Sequence, residues 1–201
     1  MPRPRTDIRP RILEAARERF AESGVDATSL RSIAADAGTS IGMIYYYFPT
    51  KDDLFLAVVE DVYGALLSDL DAALGTSGNF ASSAEALYRR IAAVSPLELQ
   101  VIRLVAREAF TSGERLLSLL PRFSRGHIAL IFNAVRRGVQ AGELRTDLHP
   151  GVLMAATLCV GVVPQLALRV MGKYLPIAPP GPADLTRQLT DVLLNGIGAK
   201  K

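Results

Sequence analysis

Residues 28–51, TSLRSIAADAGTSIGMIYYYFPTK, leave this chain few folding options. Leu30, Ile33, Ala34 and Ala37 recur at i, i+3, i+4 and i+7, one face of a short helix. Thr28 or Ser29 supplies an N-cap oxygen, and Gly38 ends the helix as a residue free to take positive φ. Thr39 or Ser40 then caps a second helix over about 41–48. Pro49 stops it, because the residue before a proline is pushed out of the α region. Two short helices across a tight turn make a helix-turn-helix pattern, whose second helix can enter the major groove of DNA.

The second helix sorts its residues by angle. At roughly 100° per residue, Ile44, Tyr47 and Phe48 fall on one side and face neighbouring helices. Gly42, Met43, Tyr45 and Tyr46 point the other way, with Ile41 on the border. A solvent-facing Met and two Tyr make a poor water surface and a good contact surface. Tyrosine hydroxyls bond phosphates or base edges, apolar side chains touch thymine methyls, and Gly42 lets the backbone come close.

This stretch resembles the DNA-binding region of the TetR family of bacterial transcriptional regulators. The resemblance is carried by Thr28, Ser29, Leu30, Arg31, Ser32, Ile33 and Ala34, by Ala37, Gly38, Thr39 and Ser40, by Gly42 to Phe48 read as GMIYYYF, and by Lys51, Asp52, Asp53 and Leu54. It covers about residues 7–60 and is architectural beyond them. Two positions depart from the common pattern: Ile41 stands where a basic or polar residue is frequent, and Ser32 where an acidic one is. The second removes the acidic half of a capping box. The resemblance implies DNA contacts from Arg3, Arg5, Thr28, Arg31, Ser40, Ile41, Gly42, Met43, Tyr45, Tyr46 and Lys51. Lys51 matches a family lysine that binds a phosphate.

Net charge adds little for the whole chain, at +3, but its placement does. Arg3, Arg5, Arg9 and Arg11 stand against Asp7 alone in the first eleven residues, 4 − 1 = +3, so the leading arm accounts for the whole excess. Arginines in such an arm can reach phosphates or a narrow minor groove. No apolar h-region follows them, which argues against a signal peptide. One cysteine, Cys159, excludes an internal disulfide and fits a reducing, cytoplasmic setting.

The rest of the chain reads helical, without strand alternation or repeats. A first helix over about 7–23, with Ile8, Ile12, Ala15, Ala16 and Phe20 inward, backs the motif. Thr50 and Asp53 form a capping box for a helix over about 51–74. Lys51 at its first position opposes the helix dipole unless a phosphate sits there. Residues 75–83 read as a loop. Helices are expected over 84–94, from Ser95-Pro96-Leu97-Glu98 to about 111, and over 124–141, with a short leucine-rich piece at 114–120 before Pro121. Residues 148–168 carry no Lys, Arg, Asp or Glu, a length that could cross a bilayer. Pro164, Gln165, two glycines and Arg169 argue instead for a helix buried in protein. In TetR-like proteins the last two helices pair with those of a second chain, here about 150–171 and 182–194.

The reading is an all-α protein: an N-terminal three-helix helix-turn-helix domain (residues 1–50) and a C-terminal helical ligand-binding and dimerisation domain (51–201). The expected function is a DNA-binding transcriptional regulator, a homodimeric repressor released from an operator by a small molecule. Candidate effector-lining residues, between the 51–74 helix and the helices of 84–141, are Tyr63, Leu67, Tyr88, Val105, Glu108, Phe110, Phe123, His127 and Phe132. No metal-ligand, P-loop or dinucleotide fingerprint appears, so neither cofactor, metal nor enzyme activity is expected. The rival readings are a DNA-binding regulator without an inducer and a helical protein-interaction or membrane-associated module using the 148–168 stretch.

Overall fold

The computed structural model describes residues 8–75, 78–174, 178 and 180–197. Every regular element among them is helical: α1 (Ile8–Ser23), α2 (Leu30–Asp36), α3 (Ile41–Tyr47), α4 (Lys51–Gly75), α5 (Phe80–Ala92), α6 (Pro96–Thr111), α7 (Gly113–Arg125), α8 (His127–Gln140), α9 (Pro150–Met171) and α10 (Pro182–Ile197), with a 3-10 turn at Gly172–Tyr174. The chain divides into two compact units. One runs to Leu66 and takes in Ser95–Arg122; the other comprises Leu67–Val94 and continues from Phe123.

In the first unit, α1 packs on α2 and α6, and α2 on α3. Ile12, Phe20, Val25, Ile33, Ile44, Leu54 and Phe55 are fully buried there. Phe20 and Phe55 meet edge to face, 6.4 Å between centroids. Each such side chain contributes about 1.5–3 kcal/mol by leaving water, so the short helices are held by the shared core rather than by their own propensity. Local signals set their ends. Ser29 caps α2 by accepting from the Ser32 N–H at 3.0 Å. At its other end Thr39 N–H donates to the Ala34 carbonyl at 2.9 Å and Gly38 N–H to Ala35 at 3.1 Å. This is a Schellman closure, with Gly38 at φ +58.

In the second unit, α5 packs on α8, α9 and α10, and α9 also on α8 and α10. The buried face of α9 carries Leu153, Thr157, Gly161 and Gln165, whereas Val152, Val163 and Met171 are 54%, 57% and 55% exposed. Apart from Leu153, the buried positions of this face are small or polar, while several apolar side chains face out. His149 caps α9, its Nδ1 accepting from the Gly151 N–H at 3.1 Å. Pro150–Arg169 is long and apolar enough to cross a membrane by length and composition, with mean hydropathy 2.0, and only 22% of its most apolar window is buried here.

Three boundaries differ from the sequence expectation. The helix expected from 84 starts at Phe80, because Asn79 and Ser82 form a reciprocal capping box inside what composition reads as a loop. The piece expected to end before Pro121 runs on to Arg125. The helical bond that a proline cannot make falls on the solvent side, where Leu117 is 63% exposed. The helix expected from 124 restarts at His127, after Gly126 leaves the helical region at φ −94, ψ −122.

Candidate nucleic-acid interface

The face of α3 follows from its angles. Ile44 and Phe48 are buried at 0% and 4%, Tyr45 and Tyr46 are exposed at 51% and 76%, and Gly42 is exposed beside half-buried Ile41 and Met43. Ser40 caps the helix, its hydroxyl accepting from the Met43 N–H at 3.3 Å. Tyr47 is half-buried and holds the Tyr46 ring edge-on at 5.1 Å, so the most exposed ring of the face has a fixed support.

The start of α4 stands next to this face in sequence. Thr50 and Asp53 close the expected box: Thr50 N–H donates to Asp53 Oδ2 at 3.0 Å and Asp53 N–H to Thr50 Oγ1 at 3.0 Å. Lys51 has partners within the chain. Its Nζ donates to the backbone carbonyls of Asp26 at 3.0 Å and Thr28 at 3.2 Å. These two acceptors offset the unfavourable placing of a cation at a helix N-terminus and leave one of three ammonium N–H directions for an outside anion.

Thr28 stands apart from the exposed face. It is 5% exposed, and its hydroxyl lies 2.7 Å from the Gly24 carbonyl and 3.1 Å from that of Arg19, fastening the α1–α2 connection. Arg31 is exposed on α2. Arg3 and Arg5 lie outside the described residues.

Several contributors carry no local sequence signal. Arg9 sits over the Phe48 ring at 5.6 Å. Arg19 forms a fork on Asp36, Nε to Oδ2 at 2.5 Å and Nη2 to Oδ1 at 3.0 Å, joining α1 to α2 and holding the Asp36 carboxyl below its ordinary range. Arg107 donates to the Phe20 carbonyl, joining α6 to α1. Arg115 binds three carboxylates: Asp52 at 2.8 Å, Glu108 at 2.7 Å, and Asp26. Its hydrogen bond keeps Asp26 ionised to lower pH than usual.

The candidate effector residues divide between the units. In the first, Glu108 is 3% exposed and paired with Arg115, Phe110 is 93% exposed, and Tyr63 and Val105 are half-buried. In the second, Tyr88 is fully buried with its hydroxyl donating to the Thr157 carbonyl at 2.8 Å, and burial pushes that phenol well above its ordinary range. Phe123 and His127 rings are 5.1 Å apart, Phe132 is 40% exposed and Leu67 half-buried.

Residues 12–58 match the family described as "Bacterial regulatory proteins, tetR family". The chain is 29% identical over 148 residues to the HTH-type transcriptional repressor KstR2 of Rhodococcus jostii, covering 70% of this chain and 69% of that protein. It is 43% identical over 60 residues to the HTH-type transcriptional repressor Rv3405c of Mycobacterium tuberculosis, a match of 30% of this chain and 32% of that one. Among solved structures, the transcriptional regulator FadR of Bacillus subtilis in complex with stearoyl-CoA superposes with a TM-score of 0.75 at 19% identity, covering 94% of this chain and 98% of that one.

Proposed function

From the match of residues 12–58 to the TetR family of bacterial regulatory proteins and the likeness to the repressor KstR2, we propose that the chain is a TetR-family sequence-specific DNA-binding repressor released from its operator by a small molecule. The observation that carries this reading is the outward face of α3. A seven-residue helix holds Tyr45 and Tyr46 at 51% and 76% exposure over a fully buried Ile44. Folding alone has no use for that arrangement, whereas a major-groove helix needs rigid, amphipathic side chains pointing out. Gly42, Met43, Tyr45 and Tyr46 read bases. Ser40, Arg31 and the third N–H of Lys51 take phosphates, and Arg3 and Arg5 extend the contact along the backbone or into the minor groove. Thr28 acts indirectly, by holding the loop whose carbonyls bind Lys51.

The protein works as a homodimer in the cytoplasm. The outward apolar face of α9, Val152, Val163 and Met171, with Val192 of α10 at 59% exposure, supports pairing with a second copy. A two-fold pair of α3 helices then spans two half-sites about one helical turn or a small multiple apart. The effector is apolar. The match to a regulator bound to stearoyl-CoA and the aromatic candidates Phe123 and Phe132 support that class. It must favour the dimer that does not fit the operator, since equal affinity for both states shifts nothing.

Footprinting on the DNA upstream of the chain's own gene tests this reading. A protected region symmetric about a centre, lost on adding long-chain acyl thioesters or other apolar effectors, is expected. Protection without symmetry, or none anywhere in a genome-wide selection of bound fragments, would contradict it.

A further inference from the structure

The guanidinium of Arg115 offers three nitrogens in one plane, and each meets a different carboxylate. Nε donates to Asp52 Oδ1 at 2.8 Å, Nη1 to Glu108 Oε2 at 2.7 Å, and Nη2 to Asp26 Oδ1. The partners come from three places: the α1–α2 connection, the first turn of α4, and α6. Arg115 is itself on α7, 63 residues beyond Asp52 and 89 beyond Asp26. Its side chain is 12% exposed and that of Glu108 is 4%, while those of Asp26 and Asp52 are 73% and 62%. The buried end of the fork is an anchor, and the exposed ends reach the surface.

Those exposed ends flank Lys51. Asp26 gives its carbonyl to Lys51 Nζ and its carboxylate to Arg115; Asp52 follows Lys51 in the chain and binds the same guanidinium. Without Arg115, two carboxylates would stand uncompensated beside the ammonium that meets a phosphate, and they would repel that phosphate. The fork also fixes the Asp26 backbone, hence one of the two carbonyls that aim Lys51. A lysine at 115 could carry the charge but not the three-way planar geometry.

We propose that Arg115, through its fork on Asp26, Asp52 and Glu108, is a positioning residue for DNA binding that aims Lys51 and shields the phosphate from the two flanking carboxylates. This rests on the reading of α3 and Lys51 as the operator-binding face. Arg115 touches no DNA in this scheme; it acts through the Asp26 carbonyl and by charge compensation.

The test uses the full chain, an operator duplex selected with the wild-type protein, and binding from about 50 to 200 mM salt. Arg115→Gln is combined with Glu108→Gln so that no buried charge is left unpaired, and folding is checked by circular dichroism. Affinity at the lowest salt should fall about tenfold or more, and the deficit should narrow as salt screens the exposed carboxylates. Adding Asp26→Asn and Asp52→Asn should recover the salt-dependent part of the loss, leaving the part due to the lost aim of Lys51. A purely structural role would give a loss equal at every salt and unrecovered by those changes, and either that result or wild-type affinity overturns the proposal. If the double variant does not fold, Arg115→Lys, which keeps Glu108 paired, decides. A several-fold loss at low salt supports the fork and unchanged affinity refutes it. Wild-type protein that selects no operator would remove the functional reading itself, and this proposal with it.

Discussion

The ring of Tyr88 packs against Gly161: a Cβ built on that glycine would stand 1.7 Å from Tyr88 Cε1. With the Tyr88 hydroxyl bonded to the Thr157 carbonyl one turn earlier, this contact sets how closely α5 approaches α9. Gly161→Ala should therefore cost about 3 kcal/mol or more, since the added methyl overlaps a ring that is fully buried and tethered at its hydroxyl. Tyr88→Phe should cost about 1 kcal/mol for the lost hydrogen bond. Denaturant unfolding measures both. Combining Gly161→Ala with Tyr88→Ala should recover part of the alanine's cost, and strict additivity would show that the two residues do not meet.

Ser95 and Glu98 close a reciprocal box at the start of α6, Ser95 N–H donating to Glu98 Oε2 at 2.7 Å and Glu98 N–H to Ser95 Oγ at 3.2 Å. Ser95→Ala should lower stability by about 1 kcal/mol, a fall of about 2–4 °C in thermal midpoint for a chain of this size. An unchanged midpoint would mean that α6 is held by its packing alone.

Burial pushes the His127 imidazole below its ordinary value of 6.5, so the folded protein keeps it neutral where the unfolded chain has begun to take up a proton. Its contribution is complete above the unfolded value and is lost as pH falls through 6.5 toward the lower folded one. Thermal unfolding at about pH 7.5 and 5.5 should show a drop at the lower pH that His127→Gln reduces. An equal drop in the variant would assign the effect to another group.

The helix-turn-helix was legible because its signals are local. Caps, a glycine at positive φ and a proline stop lie within one turn of the ends they set, and burial of Ile44 and Phe48 follows from angle alone. The box at Asn79 and Ser82 is equally local, but an amide and a hydroxyl in a Gly- and Ser-rich stretch look like loop composition. The Arg115 fork had no such signal. It joins positions 26, 52, 108 and 115, and nothing in the spacing of one charged residue names partners that only the fold brings together. Glu108 is a candidate effector-lining residue by sequence, and its partner Arg115 was what the sequence could not supply. Lys51 was singled out for its conflict with the helix dipole, yet the two carbonyls that relieve the conflict come from the α1–α2 connection, more than twenty residues earlier.

Lys51 and Tyr46 should separate affinity from specificity. Lys51→Ala should weaken binding by a similar factor on operator and random DNA and lower the salt slope by about one, whereas Tyr46→Ala should weaken operator binding more and relax base preference. Competition binding against both duplexes measures this. Equal effects of both variants on both duplexes would reject the division of roles along α3 and α4.

The most direct measurement is the affinity of the full chain for the DNA upstream of its own gene, or for the best fragment from a genome-wide selection, against random DNA of equal length at about 0.15 M salt. A sequence-reading dimer should prefer the operator by about a thousandfold or more. Weak, steeply salt-dependent binding that is the same on both duplexes would contradict a sequence-specific regulator.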